Sequence, residues 1–234
     1  MTSTSLRIDI FTLFPDMFAG PFSESILKRA REKNLAQVDV HDVRAWTTDR
    51  HHTADDTPYG GGAGMVLKVD PIVAAVEGVL GDDLPTATVL IMTAGGYLFD
   101  QQRAHDLSTT GRIAIICGHY EGIDERVAEV LNATQVSVGN FVLTGGELPA
   151  MVIADAVIRL VPGVIEDASI ADESHSIDGG GLVEYPQYTR PREFRGHEVP
   201  DILLSGHHAE IAKWRLAQSK LRTRQWRPDL LGKE

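Results

Sequence analysis

Residues 7–11, Arg-Ile-Asp-Ile-Phe, alternate polar and apolar with the two-residue period of a half-buried strand. From 22 to 33 the apolar positions Phe22, Ile26, Leu27 and Ala30 fall at helical spacing and predict a helix. Residues 38–43 predict a second strand, followed by a long polar loop over 46–65 that contains Pro58-Tyr59-Gly60-Gly61-Gly62-Ala63-Gly64. A helix over 71–80 is expected to start at Pro71 with Asp70 as its cap. A strand over 88–92 leads to Gly95-Gly96, then a helix over 100–107 and an apolar strand over 113–117. The helix predicted for 122–132 places Ile123, Val127, Val130 and Leu131 on one stripe. A strand over 135–138 and a helix over 148–160, with Pro149 near its first turn, complete the alternation.

Strands alternating with helices imply an α/β fold with a parallel sheet. The pattern changes after about Ile165. Residues 166–190 carry acids, serines and the run Gly179-Gly180-Gly181 with no clear period, which predicts a flexible linker. Residues 201–223 predict a helix with Ile211, Trp214 and Leu221 on one side and Lys213, Arg215, Lys220 and Arg222 largely elsewhere. The expected division is therefore 1–165, a linker over 166–190, and a small α-helical region over 191–234.

Composition adds limits. The 234 residues are 43% hydrophobic and 24% charged, as in globular proteins, and no apolar run reaches the length of a membrane span. The first residues lack the charged start and apolar stretch of a secretory signal, so the expected location is cytoplasmic and no membrane partner is expected. Cys117 is the only cysteine, which excludes an internal disulfide and zinc thiolate sites. The net charge of -11 opposes nucleic-acid binding until its distribution is considered. Residues 186–234 hold ten Lys/Arg and six Asp/Glu, a balance of +4, leaving -15 on the rest. A basic tail of this kind is either a solvated helix face or a polyanion contact.

Three loops at strand ends are rich in glycine: Thr93-Ala94-Gly95-Gly96, Gly118-His119-Tyr120-Glu121-Gly122, and 138–149, which ends in Thr144-Gly145-Gly146-Glu147-Leu148-Pro149. In open α/β sheets ligands sit at the carboxyl ends of strands, and glycine allows the backbone to approach a flat ligand closely. One such loop is a tight turn; three at one sheet edge predict a pocket. Neither a Gly-x-Gly-x-x-Gly after the first strand nor a P-loop is present, which disfavours the common dinucleotide and nucleoside-triphosphate sites. No Gly-x-Ser-x-Gly elbow occurs. The pairs His51-His52 and His207-His208 lack partners at ligand spacing, so no metal site is assigned.

The runs Pro58–Met65, Gly118–Arg126 and Leu143–Ala150 resemble signatures of the bacterial tRNA (guanine-N1)-methyltransferases of the TrmD family. Tyr188-Thr189-Arg190-Pro191, Leu204-Ser205-Gly206-His207-His208 and Lys213-Trp214-Arg215 continue the likeness, which extends from Arg7 to Leu231 in order. The resemblance implies a SPOUT-type parallel sheet with a deep trefoil knot, a homodimer, and S-adenosyl-L-methionine as methyl donor. It implies that Thr93 and Gly95 bind the donor from the first loop, and Gly118, Tyr120, Glu121 and Gly122 from the second. From the third it implies Val138, Gly139, Asn140, Phe141, Val142, Leu143, Gly145, Gly146 and Pro149. A magnesium requirement is a further implication, with no visible ligand set.

Methylating guanine N1 requires removing its proton, which moves charge onto O6. A carboxylate base and an arginine near O6 suit that step. The resemblance gives these roles to Glu173 and Arg159, with Asp172 as the alternative base by a one-residue shift. From the residues alone, Arg159 reads as a helix C-terminal arginine and Glu173 as a solvated acid. The family usually has aspartate at the base position, arginine at His119, tyrosine at Phe141 and a Ser-Pro-Gln type loop at Thr93-Ala94-Gly95. The implied substrate is guanosine 37 of tRNA, gripped through phosphate contacts from Lys213, Arg215, Lys220, Arg222, Arg224 and Arg227. Two other readings stand beside it: a different SPOUT RNA methyltransferase, or an RNA-binding relative with weakened chemistry.

Overall fold

Five strands build one parallel sheet: β1 (Leu6–Thr12), β2 (Ala36–Asp42), β5 (Thr88–Leu98), β6 (Arg112–Cys117) and β7 (Thr134–Ser137). Their spatial order is β2-β1-β6-β5-β7. The structure is a computed structural model that describes residues 5–177 and 179–231, with the side chains of Asp167 and Ala168 outside the description. Two short strands, β3 (Asp55–Asp56) and β4 (Val66–Leu67), pair antiparallel and close the polar loop. The helices between strands are α1 (Ser25–Glu32), α2 (Val69–Leu80), α3 (Gln101–Ser108), α4 (Arg126–Val130) and α5 (Glu147–Ile158).

The central strands are apolar on both sides because helices cover both faces. Ile8, Ile10, Ile113, Ile115 and Leu90 pack with α1, α3 and α5. Phe11, Ile116, Ala114, Val89 and Ile91 pack with α2 and α4 on the other face. The charged exception is Asp9, fully buried in β1. Its carboxylate accepts from His41 Nε2 and from Arg112 Nε, each at 2.9 Å, and pairs with Arg7 at 3.4 Å. Arg112 also bonds Asp83 and the Val79 carbonyl. The charge is therefore matched from three strands.

Several boundaries differ from the sequence expectation. Asp70 lies inside the first turn of α2, and Lys68 occupies the cap position without a side-chain cap bond. Asp100 does cap α3, accepting from the Arg103 amide. Strand β5 does not end at 92 but runs to Leu98, because the pairing with β7 bulges: Val136 faces both Met92 and Tyr97. Gly96 therefore sits against a neighbouring strand, where a Cβ would meet the Val136 nitrogen at 2.4 Å. Helix α4 is shorter than expected, and Val130 on the predicted stripe is exposed.

The chain divides after Ile165 into two compact units, Met1–Ile165 and Glu166–Glu234. The second unit contains α6 (Asp167–Ala171), a hairpin of β8 (Glu193–Phe194) and β9 (His197–Glu198), and α7 (His208–Trp226). The hairpin, unexpected in a region predicted to be helical, turns on Arg195-Gly196, both at positive φ, as a two-residue turn demands. Residues 166–190, aperiodic in sequence, are tied to α7: the Val183 amide donates to Thr223 Oγ1 at 2.9 Å and Arg222 Nη1 donates to the Glu184 carbonyl at 3.0 Å. The inner side of α7 also differs. Leu221 is exposed, whereas Ser219 and Thr223 are buried.

Candidate active site

A cavity of about 350 Å³ opens beside the bulge of β5 and at the carboxyl ends of β6 and β7, entirely within the first unit. Its size matches small-molecule pockets, which run from roughly 300 to 1,000 Å³. From the strands, Ile91 and Met92 of β5 and Gln135, Val136 and Ser137 of β7 supply part of the wall. Thr93 enters from the first loop, Gly118, Tyr120, Glu121 and Gly122 from the second. Val138, Phe141, Val142, Leu143, Gly145, Gly146 and Pro149 enter from the third.

Gly95, Gly139 and Asn140 do not line the cavity. Gly95 is exposed on the β5 bulge. Gly139 is covered by Phe141, whose ring would lie 2.3 Å from an added Cβ, and the Phe141 amide donates to the Gly139 carbonyl. The turn therefore folds Gly139 behind Phe141, while Asn140 is exposed.

The second and third loops are joined backbone to backbone. The Gly146 amide donates to the Gly118 carbonyl at 2.7 Å, and His119 forms an antiparallel bridge with Gly145. A Cβ on Gly146 would lie 2.7 Å from the Gly118 nitrogen and 2.8 Å from the Cys117 Cα. The second loop is also stitched to the Pro58–Met65 segment: the Glu121 amide donates to the Met65 carbonyl, and a Cβ on Gly64 would collide with the Glu121 carboxylate. Tyr120 sits at φ 59, a left-handed conformation that few non-glycine residues adopt.

The lining contains Glu121, Asp124 and Glu125 and no lysine or arginine. Asp124 pairs with Arg126 at 2.6 Å, and that hydrogen bond holds its carboxyl below the usual carboxylate range. Glu125 accepts from Gln135 Nε2 at 2.7 Å. Glu121 forms no ion pair among the described residues. A field of this sign suits a cationic ligand. Cys117 lies just behind, fully buried; burial, then the charge of Glu147, pushes its thiol well above the ordinary value, so it stays protonated and non-nucleophilic.

Glu147, the first residue of α5, is 2% exposed beneath the cavity wall. Its Oε1 accepts from Thr12 Oγ1 at 2.8 Å, and its Oε2 lies 3.8 Å from His119 Nδ1. Sequence reading missed this buried acid because a glutamate at a helix start ordinarily faces solvent. It missed the strand residues of the wall for another reason: their loops, not the strands, carry the glycine signal.

The two catalytic candidates lie elsewhere. Arg159 caps the carboxyl end of α5 and is half-buried. It follows Glu147 by twelve positions, about 18 Å along a helix axis, so one chain does not bring it to the glycine-walled cavity. Glu173 belongs to the second unit, where with Asp172, Tyr185 and Arg215 it lines a separate cavity of about 530 Å³. Among the described residues no cluster of three His, Cys, Asp or Glu could hold a metal ion, and no helix is long and apolar enough to cross a membrane.

Of the basic residues predicted to meet phosphates, several are engaged within the second unit. Arg215 stacks 4.6 Å over Tyr185, and Arg222 bonds the Glu184 carbonyl and lies over Trp226. Lys213 pairs with Glu210 and Arg227 with Asp229. Lys220 and Arg224 are exposed and form no ion pair among the described residues.

Comparison with known proteins gives these loops a context. The family described as tRNA (Guanine-1)-methyltransferase TrmD matches residues 6–233. A tRNA (guanine-N(1)-)-methyltransferase of Chloroflexus aurantiacus is 55% identical over 228 residues, covering 97% of this chain and 89% of that protein. Its counterpart in Thermomicrobium roseum is also 55% identical, over 97% of this chain and 84% of its own length. That of Citrifermentans bemidjiense is 56% identical, over 97% and 90%. A match across all three cavity loops and the second unit together establishes that this chain belongs to the TrmD family of tRNA (guanine-1)-methyltransferases.

Proposed function

We propose that the protein transfers a methyl group from S-adenosyl-L-methionine to N1 of guanosine 37 in tRNA, as a cytoplasmic homodimer. The observation that carries the reading is the cavity: glycine-walled, lined by acids without a lysine or arginine, and built from all three loops that the family shares. Those residues fit the donor. Ile91, Val136, Val138 and Leu143 offer apolar walls for an adenine, and Glu121 supplies a negative charge that would stabilise a sulfonium or an ammonium. The bound donor supplies an electrophilic methyl group with a neutral thioether leaving group.

The protein then has two tasks at the guanine. Glu173 removes the N1 proton, and Arg159 stabilises the charge that develops on O6. Asp172 lines the same second-unit cavity as Glu173 and is the alternative base. The helix length between the glycine cavity and Arg159 supports a site completed by a second copy of the chain. So do the exposed apolar side chains Val142, Leu143, Leu148 and Val152, clustered on the third loop and α5. The close backbone approaches at Gly96 and Gly146 are what a SPOUT trefoil knot would require of segments that thread past one another. In this reading residues 1–165 bind the donor, 166–190 close over the base, and 191–234 grip tRNA.

The test is to incubate the protein with donor and an unmodified tRNA transcript and to map the methylated nucleotide. Methyl on N1 of G37 is expected, and loss of G37 should abolish it. Glu173→Ala should slow transfer by about 10²- to 10⁴-fold with donor binding unchanged. Methyl on a ribose oxygen, or on another nucleotide, overturns the reading. An alanine variant as fast as wild type removes Glu173 from the base role.

A further inference from the structure

The pair His119 and Glu147 has no part in the chemistry above, yet its geometry is specific. Thr12 is fully buried, and its Oγ1 accepts from the Phe14 amide at 2.9 Å, so its one proton goes to Glu147 Oε1. That leaves Glu147 Oε2 as a buried acceptor facing His119 Nδ1 at 3.8 Å. His119 Nδ1 is itself buried with no hydrogen-bond partner. A bare ring nitrogen there would oppose its lone pair to a carboxylate, whereas an Nδ1–H needs a closure of less than about 1 Å to form a charge-assisted bond. The remaining ring nitrogen belongs to a side chain that lines the cavity and is 22% exposed.

The surroundings fix the ring in this pose. Phe14 packs on it at 4.7 Å and Tyr120 meets it edge-on at 4.8 Å. Gly145 leaves the space between imidazole and carboxylate, since a Cβ there would lie 2.3 Å from Glu147 Oε2 and 2.6 Å from His119 Nδ1. The titratable groups facing the pair are Cys117 from β6 and Tyr120 from the second loop. Arg44 lies over the Phe14 ring and donates to the Leu13 carbonyl.

We propose that His119 is a positioning residue for the methyl donor: buried Glu147 holds the proton on Nδ1, and Nε2 accepts a hydrogen bond from a hydroxyl or ammonium group of the donor. The inference rests on the donor-binding reading of this cavity. A second proton on the ring converts Nε2 from acceptor to donor and places a positive charge where a cationic ligand binds. A change that moves the ring proton from Nδ1 to Nε2 likewise removes that acceptor, and donor affinity falls with it.

The experiment measures S-adenosylmethionine binding to the full chain by calorimetry at about pH 8, without tRNA. His119→Ala is expected to raise the Kd about tenfold, the worth of one hydrogen bond to a charged group. His119→Gln, which places an amide oxygen near the Nε2 position, should recover most of that loss. Glu147→Gln presents an N–H to Nδ1, which transfers the ring proton to Nε2 and should weaken binding about tenfold with His119 intact. Long-range ¹⁵N spectra should show Nδ1–H in wild type and Nε2–H in Glu147→Gln. A Kd unchanged in His119→Ala or in Glu147→Gln, or a wild-type ring protonated on Nε2, overturns the proposal. Wild type that binds no donor overturns the donor-binding reading itself, a result distinct from binding that ignores these substitutions.

Discussion

The first unit and the second solve the same problem, burying an interior and presenting a surface, with different materials. In the first, aliphatic strands are sandwiched by helices, and the loops of the cavity wall are braced backbone to backbone, by contacts such as Gly146 to Gly118. In the second, α7 turns Ser219 and Thr223 inward, and Thr223 both donates to the Ser219 carbonyl and accepts from the Val183 amide. Its arginines stack on Tyr185 and Trp226. A backbone-braced wall tolerates almost no added atom. A side-chain-built surface tolerates change wherever the side chain has no inward partner.

The largest effect separating the two should come from charge. Burial alone would push the Asp9 carboxyl up, but hydrogen bonds from His41 and Arg112, with the charges of Arg112 and Arg7, outweigh it and hold the group below its ordinary value. A carboxyl with a lowered folded value contributes stability above its unfolded value, about 3.9, and loses it as pH falls through the folded one. Asp9→Ala should cost about 3–5 kcal/mol, because Arg112 keeps a buried charge without its inner partner. At about 2–4 °C per kcal/mol for a chain of this size, the drop in Tm should be about 10 °C, with a flatter acid limb. Glu210→Ala, which removes the exposed pair with Lys213, should leave Tm within about 1 °C. Equal Tm values for the two variants would erase the contrast.

A smaller effect tests the wall. Gly146→Ala puts a methyl group against the Gly118 nitrogen, the Cys117 Cα and the Met92 Cβ, of which the first two are backbone and cannot swing aside. Overpacking of this kind costs about 1–3 kcal/mol, and donor affinity should fall with it. Gly95→Ala, on a loop with the same glycine signature, meets nothing within 4 Å and has no positive φ, so melting and donor binding should both stay at wild type. If Gly95→Ala weakens donor binding, the bulge rather than the cavity wall reaches the ligand.

These pairs show what sequence conveyed. The runs Ile113–Ile116 and Val89–Met92 declare buried parallel strands because both faces need apolar side chains. The three loops declare a pocket because glycine enrichment at strand ends has few other causes. Glycine itself, however, does not say whether it marks a turn or a close approach, and Gly95 and Gly96 hid the continuation of β5 to Leu98. Glu147 was invisible because its burial depends on Thr12, which is 135 positions away. Periodicity failed on α7, where the inward side is made of Ser219 and Thr223 rather than Leu221. The base and the arginine were legible only through family likeness, since no local pattern distinguishes Glu173 from Asp172.

The smallest effect concerns the positive balance of the second unit, and it divides residues that sequence reading grouped together. Lys220 and Arg224 project from α7 without an ion pair among the described residues, whereas Arg222 bonds the Glu184 carbonyl. If tRNA binds through phosphates on this helix, replacing both Lys220 and Arg224 by alanine removes about two ionic contacts. The slope of log affinity against log salt should then fall by about 1 to 2, with Tm unchanged. Arg222→Ala should do the reverse: it deprives a carbonyl of its donor and Trp226 of its stacked cation, so Tm falls while the salt slope changes little. Filter binding of a tRNA transcript from 50 to 300 mM salt reads the slope, and thermal melts read the stability. Should Arg222→Ala flatten the slope as much as the double variant, then the inward arginines also reach phosphate. In that case the second unit, like the first, would use one set of groups both to hold its fold and to meet its ligand.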